Sequence, residues 1–229
     1  MGNLSEFLME ELNVATAFTI PIFGGIEVAE STVISWVIMA IIVILTLVLT
    51  RNMRVEKPGK LQVGVEYAVT ALQNLVRGII GHEGEHYVPY LSTVLVFLGI
   101  SNIFAIFGMK PPTKDLNVTA ALALMSIILV QAASIRQNKV GGWLKGFTKP
   151  SKVITPLNVM ELAIRPLSLC MRLFGNVMGA FVVMKLLEHL VPVILPAVFS
   201  LYFDFFDGLL QAYVFVFLTG LYIKEAVEE

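Results

Sequence analysis

Charge is scarce in this chain: 14% of its 229 residues are Asp, Glu, Lys or Arg, against about 25% in an average soluble domain. With 57% of the residues hydrophobic, a water-soluble globule is excluded, because too much apolar surface would remain in contact with water. A formal net charge of −1 leaves no unopposed cluster of Lys and Arg for phosphate backbones, so nucleic acid is excluded as a partner. The single cysteine, Cys170, excludes an internal disulfide and reads as small packing filler among apolar neighbours. No Lys or Arg precedes the first apolar run, which follows Glu6, Glu10, Glu11, Glu27 and Glu30 instead. A cleavable signal peptide has the opposite pattern, so residues 1–30 read as a retained, partly amphipathic acidic segment. No phosphate-binding loop is present, hence no nucleotide is expected, and no cofactor is implied. No internal repeat or low-complexity stretch interrupts what reads as one membrane domain.

What is present is a series of long apolar runs. Residues 31–50 carry no charge, and about twenty helical residues are the length that crosses a bilayer. A segment over residues 57–81 follows, in which Leu61, Val65, Ala68, Leu72, Leu75 and Ile79 recur at helical spacing opposite Gln62, Glu66, Gln73 and Arg77. That pattern predicts an amphipathic interfacial helix. Residues 88–135 read as a helical hairpin, its two uncharged runs divided by Lys110-Pro111-Pro112-Thr113-Lys114-Asp115. A basic loop with Arg136, Lys139, Lys145, Lys149 and Lys152 leads into residues 156–223, two apolar segments divided near Val193. Each is too long for a perpendicular span, so both must tilt strongly, kink or leave the bilayer. The predicted class is therefore all-α integral membrane, with about five membrane-embedded helices and one amphipathic helix.

Orientation follows from the basic residues. The loops after the first and third spans hold Arg51, Arg54, Lys57, Lys60, Arg77, Arg136, Lys139, Lys145, Lys149 and Lys152, whereas the opposite side holds Lys110 and Lys114. The positive-inside rule puts the N-terminus outside and the C-terminus in the cytoplasm.

Arg172 is the deepest cation in an apolar stretch. A guanidinium at mid-bilayer costs about 2.5–3.5 kcal/mol on insertion scales and cannot lose its proton, so it must face protein or water. Glu161, Arg165, Ser168, Asn176 and Gly179 lie within roughly 40° of it on a helical projection and form one polar stripe. Gly175 and Gly179 would admit a close neighbouring helix. The last segment carries Asp204, Asp207 and Gln211 at i, i+3 and i+7, with Thr219 and Tyr222 near the same face. Two intramembrane carboxylates are functional candidates by default. A competing structural reading pairs Arg172 with Asp204, Asp207 or Glu188 as a buried ion pair. Lys185, Glu188 and His189 stand near the outer end, where long side chains reach the headgroups, and Glu161 with Arg165 also fits a surface ion pair.

His82-Glu83-Gly84-Glu85-His86 matches the H-E-x-x-H pattern of zinc peptidases. The central glycine, the position between helices and the lack of a third nearby ligand favour a solvated loop, so no metal site is expected.

Pro166-Leu167-Ser168-Leu169-Cys170-Met171-Arg172-Leu173-Phe174-Gly175-Asn176 resembles the signature of ATP synthase subunit a. Pro112-Thr113-Lys114-Asp115-Leu116-Asn117-Val118-Thr119 and Leu210-Gln211-Ala212-Tyr213-Val214-Phe215 resemble two further segments of that family, in the right order. The resemblance implies a stator subunit, not itself catalytic, of a bacterial inner-membrane ATP synthase. It implies partnership with the c-subunit ring, the peripheral-stalk b subunits, the other ATP synthase subunits and membrane lipid. It gives Arg172 the place facing the ring carboxylates and Gln211 a place beside it, and it implies that the last two helices lie nearly in the membrane plane. Asn176 and Asp204 fall at half-channel positions, and Ser168, Glu161, Asp207 and Glu188 complete the candidate ion path. Many relatives carry a glutamate nine residues after the arginine, where this chain has Phe181, so the outer acid is to be sought among Asp204, Asp207 and Glu188. The runner-up reading is a secondary transporter or channel that holds an anion on Arg172. The ion, H⁺ or Na⁺, is left open.

Overall fold

Backbone polar groups cannot be left bare in hydrocarbon, so an apolar run that crosses a bilayer has to close its hydrogen bonds within itself as a helix. The computed structural model describes residues 16–20, 26–51, 53–54, 58–82, 84–104, 111–146, 155–190 and 199–228. Within these, five stretches are helical, long and apolar enough to span: Glu30–Thr50, Glu85–Ile103, Leu116–Lys139, Thr155–Leu187 and Leu201–Val227. The chain is an all-α integral membrane protein.

One element departs from that class. Strands β1 (Thr16–Ile20) and β2 (Ile26–Ala29) pair antiparallel just before the first span, with Thr16 opposite Ala29 and Ile20 opposite Ile26. The acidic composition hid two short runs rich in β-branched residues, which suit a strand pair. Residues 1–15 lie outside the described part.

Helix α1 (Glu30–Thr50) is apolar all round and buries only Ser35 and Ile38 against the rest of the chain. Ile44, Leu47 and Val48 on its C-terminal half are each at least 60% exposed, the surface of a helix that faces lipid or another subunit. Helix α2 (Lys60–Ile80) is the expected amphipathic element and stops at Gly81, whose φ of 78° a side chain would resist. Its Gln62 side chain accepts from the Arg54 amide and donates back to the Arg54 carbonyl, which closes the turn out of α1.

Helices α3 (Val88–Ile103) and α4 (Leu116–Gly146) are not packed side by side as the expected hairpin would have them; each packs instead on the last helix of the chain. Asp115 caps α4, its Oδ1 accepting the Asn117 amide at 2.9 Å while its Oδ2 accepts the Ser31 hydroxyl of α1. This carboxylate is 4% exposed, so one residue starts α4 and ties the first span to it. Asp115→Ala is expected to lower stability by about 0.5–2 kcal/mol, the usual worth of an N-cap. Asp115→Asn keeps the acceptor and most of that stability. Unfolding of the detergent-solubilised protein measures both, and equal losses would exclude the cap.

The basic stretch after residue 135 is not the plain loop expected from its charge and glycines. Helix runs to Gly146, with a break at Lys139 (φ 56°, ψ 166°). Beyond the break the chain folds back, and Trp143 Nε1 donates to Gln131 Oε1 at 2.8 Å. An indole that can reach a partner inside the fold outweighs the local preference for coil.

Helix α5 (Thr155–Leu190) is 36 residues long, about 54 Å at the α-helical rise and far beyond a perpendicular span. Pro166 lies in its interior and removes one backbone bond, a natural place to bend. Helix α6 begins as a π-helical segment, Leu201–Asp207, and continues as α-helix through Gly208–Glu228. The start expected near Val193 lies outside the described residues. Helix α6 is the centre of the bundle: it packs on α2, α3, α4 and α5, and α4 also packs on α5. Ala212, Phe215, Val216 and Ile223 of α6 are buried with Val76, Ile80, Leu91, Leu98, Val130 and Leu173.

Candidate functional site

Helix α5 has two unlike faces. Leu169, Cys170 and Leu173 are buried against the bundle. Arg172, Gly175, Asn176 and Gly179 are exposed, and Glu161, Arg165 and Ser168 continue the same line toward the N-terminal end of α5. The stripe follows from the 3.6-residue repeat alone.

Arg172 stands on this face with its side chain exposed, and it makes no hydrogen bond or ion pair with any described residue. It is not a buried structural pair with Asp207, which is half-buried and likewise bonds to no described side chain. The side chains of Asp204, Glu188 and His189 lie outside the described part. Around Arg172 the exposed surface is apolar, with Leu167 at 57% and Met171 at 51% on α5. On the neighbouring α6, Tyr213 and Phe217 are exposed as well. A β-carbon at Gly175 or Gly179 would meet none of the described residues within 4 Å. The close approach these glycines permit is therefore not used by any described helix of this chain.

Four residues beyond the arginine, Asn176 Nδ2 donates to Gln211 Oε1 at 2.7 Å and joins α5 to α6. Gln211 is 2% exposed, and its Nε2 is buried without a hydrogen-bond partner among the described residues. Thr219, two turns further along α6, is buried and bonded to the Phe215 carbonyl at 2.9 Å, so it is spent on its own helix.

The expected i, i+3, i+7 alignment of Asp204, Asp207 and Gln211 assumed an α-helix throughout. Asp204 and Asp207 instead belong to the π-helical segment, whose wider turn winds the chain at a different rate. The helical projection therefore does not put both acids in register with Gln211. Composition carries no mark of this, since the same apolar residues serve both kinds of turn.

Near the N-terminal end of α5, Arg165 is held by both helices. It bonds to Glu161 at 2.8 Å and Glu225 at 3.0 Å, and its guanidinium lies 4.8 Å from the centre of the Tyr222 ring. Glu161 is thus engaged in the ion pair that its spacing from Arg165 suggested. Glu225, sixty residues away in sequence, was not singled out because it looks like an ordinary terminal charge.

Toward the C-terminal end of α5, Phe181 lies under two ammonium groups. Lys114 Nζ is 3.4 Å and Lys185 Nζ 5.8 Å from the ring centre. The negative face of an aromatic ring accepts cations without carrying a proton. Phe181 is thus a neutral platform for two cations.

Glu85 of the His82–His86 stretch pairs with Arg77 at 3.2 Å. Among the described residues no three His, Cys, Asp or Glu side chains gather where a metal could be held.

Known proteins resemble this arrangement over most of its length. The family profile described as "ATP synthase A chain" matches residues 32–224. ATP synthase subunit a of Moorella thermoacetica is 37% identical over 205 residues, covering 89% of this chain and 93% of the relative. Subunit a 1 of Hahella chejuensis is 33% identical over 90% of this chain and 87% of its own length. A protein of Propionigenium modestum named "ATP synthase subunit a, sodium ion specific" is 31% identical over 89% of this chain and 75% of its own.

Proposed function

Because the chain belongs to the ATP synthase A chain family, we propose that it is the stationary ion-conducting subunit of an F-type ATP synthase, itself without catalytic activity. In this reading Arg172 faces a rotating ring of c subunits. Ions reach and leave the ring carboxylates through two half-channels that open on opposite sides of the membrane. Ion flow thereby turns the ring and drives ATP synthesis on other subunits.

The observation that carries the reading is Arg172 itself: a permanent cation on an exposed apolar helix face, with no described partner in its own chain. Such a group is costly at membrane depth unless a neighbouring chain supplies the negative charge. A passing carboxylate would have its proton affinity lowered next to the guanidinium, which favours ion release. The same fixed charge would block direct leakage between the half-channels. Gly175 and Gly179 leave room for the partner helix to come close.

Asn176 and Gln211 form the inner wall of the path beside Arg172, with Ser168 below them. Asp204, Asp207 and Glu188 are the acids for the outer half-channel, since Phe181 cannot exchange an ion. The whole chain acts as one membrane domain, with its N-terminus outside and C-terminus in the cytoplasm of a bacterial plasma membrane. The peripheral stalk and the lipid bilayer hold it against rotation, and either H⁺ or Na⁺ is compatible with these residues.

Purification of the chain from native membranes tests the reading. It is expected to bring down a small hairpin protein with one mid-membrane carboxylate, and recovery without such a partner would contradict it. Asp204→Asn is expected to slow ion uptake from the outer side several-fold in vesicles. A flux unchanged across external pH would remove Asp204 from the path.

A further inference from the structure

Asn102 of α3 is a deeply buried polar side chain that the ion path above does not use. It is 4% exposed, and its amide is engaged at both ends. Nδ2 donates to the Gly208 carbonyl at 2.8 Å, and Oδ1 accepts the Thr113 hydroxyl at 2.9 Å. A carbonyl can only accept, which settles the orientation of the Asn102 amide and makes Thr113 the donor. Thr113, in the turn before α4, is completely buried.

The place where this chain of bonds ends is specific. Gly208 is the residue at which the π-helical segment of α6 gives way to α-helix, and its own N–H reaches the Phe205 carbonyl, a three-residue step. A β-carbon at Gly208 would lie 2.9 Å from Asn102 Cβ, so the two backbones approach as closely as they do only because glycine is there. Asp207 immediately precedes this junction, and Gln211 lies one turn beyond it. Because π and α turns wind at different rates, the position of the junction decides how Asp207 is rotated relative to Gln211.

We propose that Asn102 and Thr113 are positioning residues for ion translocation: by holding the Gly208 carbonyl they set where the π turn ends and so how Asp207 stands relative to Gln211. The inference rests on the ion path proposed above. Neither residue touches the ion; both act through the backbone of α6. The hydrogen bonds are buried at both ends, so loss of one leaves the other partner without a substitute.

ATP-driven pumping, measured per assembled complex in inverted membrane vesicles, tests it. Thr113→Val keeps the shape and removes the donor, and it is expected to reduce pumping about tenfold, the effect of one buried partner left unsatisfied. Thr113→Ser restores the hydroxyl and is expected to pump close to the wild-type rate. Asn102→Ala combined with Thr113→Val is expected to be no worse than Asn102→Ala alone, because both break one chain of bonds. Normal pumping per complex by Thr113→Val, equal losses in Thr113→Val and Thr113→Ser, or additive losses in the double variant would each overturn the proposal. Arg172→Ala run alongside separates the two readings. If it pumps, the ion path fails; if it is inactive beside a normal Thr113→Val, only the positioning role fails.

Discussion

Arg172→Ala is expected to abolish coupled ion pumping while the complex assembles in normal amount. The guanidinium is exposed and bonds to no described residue, so its removal opens no cavity and strands no buried partner. Substitutions at such positions usually change stability by less than about 0.5 kcal/mol. The functional loss comes from the passing carboxylate, whose pKa an adjacent cation lowers by about one to three units. Without that shift, ion release in front of α5 slows by roughly ten- to a thousandfold. Arg172→Lys is not a neutral exchange, because an ammonium can lose its proton in an apolar setting and lacks the planar fork. Pumping driven by ATP in vesicles, normalised to recovered complex, is the measurement, and normal pumping by the alanine variant would refute the stator reading.

The second large effect separates two glycines that the sequence does not distinguish. A β-carbon at Gly220 of α6 would lie 2.9 Å from Ile79 Cγ2, 3.4 Å from Ile80 Cγ1 and 3.6 Å from Leu91 Cδ1. Gly220→Leu therefore forces α6 away from α2 and α3, and overpacking of this kind costs about 1–3 kcal/mol or more. In a bilayer, helix association rests on close packing, so little else compensates. The expected result is a subunit recovered at a small fraction of the wild-type amount. A β-carbon at Gly179 meets no described residue of its own chain within 4 Å, and leucine is the better helix former. That variant is expected to insert and fold normally, yet to pump at least about tenfold more slowly because its side chain occupies the space meant for a neighbouring helix. Wild-type pumping by Gly179→Leu would show that the exposed face of α5 is not an interface.

These expectations depend on different amounts of tertiary information. The stripe from Glu161 to Gly179 was readable in advance, because a single helix of regular pitch dictates which residues share a face. Its partner bonds were not. Asn176 reaches Gln211 across 35 positions, Arg165 reaches Glu225 across 60, and Asn102 reaches Gly208 across 106. Asn102 in particular looks like an incidental polar residue in an uncharged run, and only the approach of α6 reveals what it holds.

The sequence by itself determined the membrane class, the helical spans, the amphipathic α2 and the place of Arg172 within an apolar helix. Those depend on composition and on the pitch of one helix, and in hydrocarbon a bare backbone has no alternative to helix. Only the tertiary structure decided the strand pair before α1, the fold-back after Lys139, the π turn that carries Asp204 and Asp207, and the side on which Arg172 is open. Each of these turns on which surfaces come into contact, and contact between distant segments leaves no periodic trace in the order of the residues.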